Sequence, residues 1–240
     1  MENRSENAPL VLILGGAGAI GSAIAREQQA RGSRVVVLDK ATPANEDCHY
    51  VNLDITSEEE VTKCFAEMDR QGLVPDALIV ATGYLKGGDF DGLRVSDIAD
   101  HIEINAFGAF RVAQACLKRM TDKGGRMLFL SSVHGHIGVS NRCAYAMSKA
   151  ALEAMARAIA VEYAHKKIRV NVLAPGAVDS GMNSGTGMRQ YWTSATPAGR
   201  VATVEEIARF AAVMTSDDAS FVSGQTIHIN GGVNNLRYIV

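Results

Sequence analysis

Hydrophobic and polar positions follow two rhythms along this chain. Short apolar runs give way to longer stretches whose apolar residues recur three or four apart, and then to another short run. Leu10–Leu14, Arg34–Leu38, Ala77–Ala81, Arg126–Leu130, Ile168–Leu173 and Thr226–Ile229 read as strands, with Tyr50–Leu53 a weaker seventh. Several are almost wholly apolar, the pattern of strands covered on both faces. Between them, helices are predicted over Ile20–Ala30, Ser57–Gln71, Ser96–Thr121, Ala144–His165 and Thr203–Thr215. Ser57 and Glu60 form a Ser-x-x-Glu capping box, and Gly32, Gly72 and Gly124 stand where helices stop. This alternation predicts an α/β fold: a doubly wound parallel β-sheet, Rossmann-like, of about seven strands, with helices on both faces and right-handed crossovers. No linker, repeat or low-complexity tract interrupts it, so residues 1–240 read as a single domain.

Composition narrows the function. Of 240 residues, 47% are hydrophobic and 21% charged, with a net charge of −2. That balance gives no electrostatic case for nucleic acid or an anionic membrane. Residues Met1–Pro9 are polar and lack the apolar stretch of a signal peptide. No apolar run is long enough for a bilayer, since Lys149, Glu153, Arg157 and Glu162 interrupt the best candidate. Cys48, Cys64, Cys116 and Cys143 are scattered, which points to free thiols in the cytoplasm and argues against a metal site.

Two regions carry candidate chemistry. Leu10–Gly21 runs from a strand through a glycine-rich turn into a helix. Such a turn lets the backbone approach a pyrophosphate, and the helix start offers unpaired N–H groups to it. Gly15, Gly18, Ala19, Ile20 and Gly21 are the candidate contacts. Asp39 ends the second strand, 18 residues after Gly21. A carboxylate there suits the two hydroxyls of an adenosine ribose and repels a 2′-phosphate. NAD is therefore expected over NADP, although Lys40 stands beside Asp39 as a possible neutralising charge. Asp54 lies where a side chain can meet the adenine. Further on, Tyr145 and Lys149 stand four apart on one helix face. A neighbouring ammonium is expected to lower the phenol pKa and make Tyr145 a proton donor and acceptor.

With both regions in view, the chain resembles the short-chain dehydrogenase/reductase family over nearly its whole length. The family's glycine motif falls on Gly15, Ala19 and Gly21, with alanine at its second position. Its Asn-Asn-Ala-Gly is here Val80-Ala81-Thr82-Gly83, where only Gly83 matches and Thr82 stands in for an asparagine. Asn105, Ser132, Tyr145 and Lys149 match the catalytic set. Ser132 is preferred over Ser131 because it lies 13 residues before Tyr145. Asn171–Gly176 matches the turn under the nicotinamide, which puts Pro175, Gly176 and Val178 at the cofactor. The resemblance implies hydride transfer between NAD(P)(H) and a carbonyl or alcohol carbon. Ser132 would hold the oxygen, Tyr145 would move the proton, Lys149 would hold the ribose, and Asn105 would link Lys149 through water to solvent.

Residues 180–200 are rich in glycine and small polar residues, yet hold Met182, Met188, Tyr191 and Trp192. They read as a mobile substrate lid, and their apolar content implies a substrate with an apolar part. Arg189 reads more readily as solvated than as an anion contact. His134 and His136 are within reach of the pocket, although loop roles suit them too. Small residues in Ala144–Ala160, with Phe107, Phe110 and Tyr238–Val240, suggest surfaces shared in a homodimer or homotetramer. Two alternatives stand beside an alcohol–ketone oxidoreductase. One is a 3-oxoacyl-thioester reductase, whose carrier would need a basic patch from Arg119, Lys123, Arg126, Lys166, Lys167 and Arg169. The other is a non-catalytic dinucleotide sensor.

Overall fold

The computed structural model describes residues 8–42, 48–180 and 186–234. Seven strands form one fully parallel sheet: β1 (Leu10–Leu14), β2 (Arg34–Asp39), β3 (His49–Asn52), β4 (Ala77–Val80), β5 (Gly125–Leu130), β6 (Ile168–Pro175) and β7 (Thr226–Ile229), in the order β3-β2-β1-β4-β5-β6-β7. The helices are α1 (Ala19–Ala30), α2 (Glu58–Arg70), α3 (Val95–Ile102), α4 (Gly108–Met120), α5 (Cys143–Glu162), α6 (Thr186–Ala195) and α7 (Val204–Met214).

Period-two alternation along each strand divides the core. Val11, Ile13, Val35, Val37 and Ile79 face Ile24, Ile207 and Ala211 of α1 and α7. Leu12, Leu14, Leu38, Leu78 and Phe129 face Phe65 of α2, Val112 of α4 and Leu152 of α5. Both sheet faces are therefore buried, as the apolar runs require. The strand order reverses between β1 and β4, and a crevice opens there beyond the carboxyl ends of the strands.

Two predicted elements differ. The segment expected as one helix over Ser96–Thr121 is split by a π-helical stretch, Glu103–Phe107, between α3 and α4. The apolar positions on either side keep helical spacing, so pattern alone does not reveal the wide turn. The stretch expected as a mobile lid over 180–200 contains a helix that was not predicted, α6, which buries Trp192. Its Met182 lies outside the described residues, as do Tyr238–Val240.

Candidate active site

The glycine turn is built on close approaches. Gly15 adopts φ +80°, and a Cβ there would stand 2.7 Å from the Thr82 nitrogen. A Cβ on Gly21 would stand 2.1 Å from the Gly15 oxygen. Neither position admits a side chain. Ala19 begins α1 and is exposed, so its methyl group is accommodated where the family pattern has glycine. Gly18 caps α1 without a side-chain hydrogen bond, leaving first-turn N–H groups at the cleft wall. Asp39 braces this turn: its carboxylate accepts the Ala17 N–H at 2.9 Å and the Ala41 N–H at 3.0 Å. Lys40 does not neutralise it. The ammonium instead lies 2.6 Å from Asp54 Oδ2, and Asp54 also accepts from Thr56. The hydrogen bond from Lys40 is the main reason the Asp54 pKa falls to about 2, with the Thr56 bonds adding to it.

The second half of the cleft comes from β5, α5 and the turn after β6. Gly15, Gly18, Ala19, Ile20, Gly21, Asp39, Gly83, Ser132, Tyr145, Lys149, Pro175, Gly176 and Val178 all line one cavity of about 430 Å³. Asp54 instead lines an adjoining hollow that shares Gly15, Asp39 and Thr82 with it. The structure thus brings the two sequence regions together at the crevice. Thr82 also lines the main cleft, and its buried hydroxyl has no hydrogen-bond partner.

Lys149 is 2% exposed and donates to the Leu130 carbonyl at 2.8 Å and the Thr82 carbonyl at 3.2 Å. Its Nζ lies 5.7 Å from the centre of the Tyr145 ring. Asn105 does not touch Lys149 directly. Its side chain accepts the Tyr84 N–H at 2.7 Å, donates to the Tyr84 carbonyl at 2.9 Å, and donates to Ser148 Oγ at 2.9 Å. Ser148 in turn donates to the Tyr145 carbonyl. The amide thus ties the Tyr84 turn to α5.

One electrostatic expectation is reversed. Tyr145 is not acidified in this structure: burial of the phenol pushes its pKa up to about 12, against a hydrogen bond with Ser132 and the charge of Arg142. Burial likewise pulls Lys149 down to about 8, with Glu153 opposing the fall. Desolvation disfavours both charged forms and outweighs the groups that oppose it.

The two histidines part ways. His134 lines the cleft, packed edge-on to Tyr145 at 5.7 Å and tilted against Trp192 at 5.8 Å. Both its ring nitrogens are buried and unpartnered, and burial lowers its pKa to about 4, so the ring is neutral. His136 turns away to Glu153. Ser131 likewise donates to Glu153, which leaves Ser132 beside Tyr145. Sequence reasoning passed over Glu153 as one more charge on a long helix. Its place one turn beyond Lys149 was the available signal. Arg189, outside the cleft, pairs with Asp179 at 2.9 Å.

Residues 15–234 match the family model described as enoyl-(acyl carrier protein) reductase. The chain belongs to the short-chain dehydrogenase/reductase family. Like the family, it is an oxidoreductase that acts on CH–OH or keto groups with a nicotinamide dinucleotide. The 3-oxoacyl-(acyl-carrier-protein) reductase MabA of Mycobacterium bovis is 34% identical over 226 residues, covering 93% of this chain and 92% of the relative. FabG of Escherichia coli, of the same description, is 29% identical over 235 residues, 93% of this chain and 96% of its own. A short chain dehydrogenase from Leptospira borgpetersenii, solved with bound NAD+, superposes with a TM-score of 0.89 at 27% identity, covering 94% of this chain and 92% of that one. Aldohexose dehydrogenase AldT of Thermoplasma acidophilum shares the fold, with a TM-score of 0.91 at 23% identity over 97% of this chain and 96% of that one. Among the described residues of this short-chain dehydrogenase/reductase, no helix is long and apolar enough to cross a membrane.

Proposed function

We propose that this enzyme interconverts a secondary alcohol and a ketone, favours NAD(H) over NADP(H), and uses Tyr145 as general acid and base. The observation that carries this reading is that Ser132, Tyr145 and Lys149 line the same cleft as the glycine turn and Asp39. The residues suit a dinucleotide. The turn has no room for a Cβ at Gly15 or Gly21, and α1 starts with uncapped N–H groups at the cleft. When bound, the nicotinamide ring supplies or accepts the hydride.

The chain's own residues do the rest. Gly15, Gly18, Ala19, Ile20 and Gly21 hold the pyrophosphate. Asp39 has lone pairs left for the ribose hydroxyls, and no free cation stands among the described residues of the glycine turn to attract a 2′-phosphate. Asp54 serves the adenine end as a wall kept polar by Lys40. Gly83, Pro175, Gly176 and Val178 pack around the nicotinamide end. Ser132 Oγ hydrogen-bonds the reacting oxygen and stabilises its developing charge. Tyr145 gives its proton to that oxygen in reduction and takes it back in oxidation. Lys149, with two of its protons on carbonyls, directs its remaining donor to the ribose. Asn105 holds the Tyr84 turn against α5, and its route to Lys149 runs through water. At the substrate end, α6 covers the cleft with Trp192, a surface for the apolar part of a substrate.

A second reading is favoured by the activity of MabA and FabG: reduction of a 3-oxoacyl thioester on a carrier. Lys123, Arg126, Lys167 and Arg169 do line one depression, but it lies at the amino ends of β5 and β6, away from this chain's own cleft. Asp76 and Asp217 pair with two of those cations.

Exposed Phe107, Phe110, Met147 and Val161 on or beside α4 and α5 support a homodimer or homotetramer through these helices. Four cysteines with no disulfide among the described residues fit a cytoplasmic setting.

The test is a fluorescence titration with NADH and NADPH side by side, then a substrate panel with the tighter nucleotide. The panel holds simple ketones, secondary alcohols and an acetoacetyl thioester. Tighter NADH binding with ketone turnover supports the first reading, and thioester-only turnover supports the second. No turnover of any member removes both.

A further inference from the structure

Outside the groups assigned above, α5 buries one more charge. Glu153 is 2% exposed, one helical turn beyond Lys149 and two beyond Tyr145, on the same face. An ionised carboxylate is seldom buried this deeply without partners. Among the described residues Glu153 has two, both from the segment that follows β5. Ser131 Oγ donates to Oε1 at 2.5 Å, and His136 Nε2 lies 2.6 Å from Oε2. The backbone is shaped to allow this: a Cβ on Gly135 would stand 2.8 Å from Glu153 Oε1. His136 also packs edge-on to His228 of β7 at 4.5 Å.

We propose that Glu153 is a positioning residue of the reaction, clamping the Ser131–His136 segment, and with it Ser132, onto the helix that carries Tyr145 and Lys149, while holding an anion behind the Lys149 ammonium. The inference rests on the catalytic reading above. Its physical content is twofold. Ser132 and Tyr145 belong to different elements, and only a tie between those elements fixes the separation of their hydroxyls. Ser131 and His136 bracket Ser132 and His134, so two bonds to one carboxylate secure both residues at the cleft. The second part is electrostatic. Lys149 Nζ donates to two carbonyls and has no carboxylate in direct contact among the described residues. Burial lowers its pKa, and the charge of Glu153 opposes that fall.

The groups that face this pair are few. Glu153 meets Ser131 and His136 from the segment after β5, His228 through His136 from β7, and Lys149 along α5. Among the described residues, Lys149 meets Tyr145 and Glu153 on its own helix, and backbone carbonyls from β5 and the turn after β4.

The experiment compares wild type, Glu153→Gln and Ser131→Ala. Lys149 is titrated in cofactor-free protein by carbon NMR of lysine Cε, assigned with Lys149→Met, and kcat and KM are measured against pH for a ketone the wild type turns over. Glu153→Gln keeps the shape and loses the charge. Its Lys149 titration should move down by about one unit, and kcat should fall roughly tenfold or more with KM changed less than about threefold. Ser131→Ala should lower kcat with the Lys149 titration in place. A Lys149 titration that is unmoved in Glu153→Gln overturns the electrostatic role. One that moves up, towards an ordinary lysine, indicates local opening and overturns it too. If Glu153→Gln does not fold, Ser131→Ala decides the clamp, and wild-type kcat in that variant sinks it. Wild-type protein that turns over nothing removes the catalytic reading and this inference together. A working wild type with an indifferent Glu153→Gln removes this inference alone.

Discussion

Lys40 reaches past its neighbour Asp39 to pair with Asp54, at 2.6 Å. The cation nearest to Asp39 in sequence is therefore already committed elsewhere. The proposed preference for NAD(H) rests on that division. Replacing Asp39 by Ser removes the repulsion of a 2′-phosphate. NADPH should then bind about ten- to a hundredfold more tightly than to wild type, and NADH more weakly. Side-by-side fluorescence titration reads both. An unchanged NADPH affinity would show that Asp39 does not discriminate.

Tyr145→Phe removes one oxygen from a buried ring. The fold and NADH affinity should survive, while kcat drops by about two to four orders of magnitude. Steady-state turnover and NADH titration on one preparation check this. A variant that keeps most of its kcat takes Tyr145 out of the proton-transfer role.

Gly21→Ala forces a methyl group onto the Gly15 carbonyl, where 2.1 Å is available. Overpacking of this kind costs about 1–3 kcal/mol and shifts the turn. We expect a lower Tm and a loss of NADH binding. Ala19→Gly is the control: that position is already exposed, so NADH affinity should stay within about threefold.

Burial pulls the Lys149 pKa down to about 8, against 10.5 for an ordinary lysine. A lysine whose pKa is depressed by folding makes the unfolded state bind more protons between those two values. Its penalty, of order 3 kcal/mol, is full below pH 8 and is relieved as pH rises towards 10.5. Tyr145 and Cys116 work the other way. Burial raises both, so their stabilising contribution is full below their unfolded values and is lost as pH climbs through the folded ones. Tm should therefore rise from pH 8 to about 9 and then level off or fall. Lys149→Met should abolish the rise. Thermal melts across that range, wild type beside variant, decide it.

The sheet was readable because the inner strands β1, β2, β4, β5 and β6 are largely apolar and so stand out from their surroundings. Even β3, at the sheet edge, shows as a short run ending before Asp54. Asp39, Ser132, Tyr145 and Lys149 were readable because each sits at a fixed offset from a strand end or from another on one helix face. What could not be read depends on balance or on distant partners. The phenol of Tyr145 lies near an ammonium, and sequence suggests acidification, but the depth of burial decides the sign. Glu153 looks like any helical carboxylate until Ser131 and His136 are seen to converge on it. The helix α6 has glycine and small polar neighbours that mask its large buried anchor, Trp192.

The wide turn at Glu103–Phe107 holds one residue more than a regular helix of its length would need. Deleting a single residue there would restore an unbroken ladder of backbone bonds, and the chain could still close into the same sheet. It would also remove the wide turn that carries Asn105, whose amide bridges the Tyr84 backbone and Ser148. This stretch is thus a place where a protein could gain local regularity and lose its chemistry.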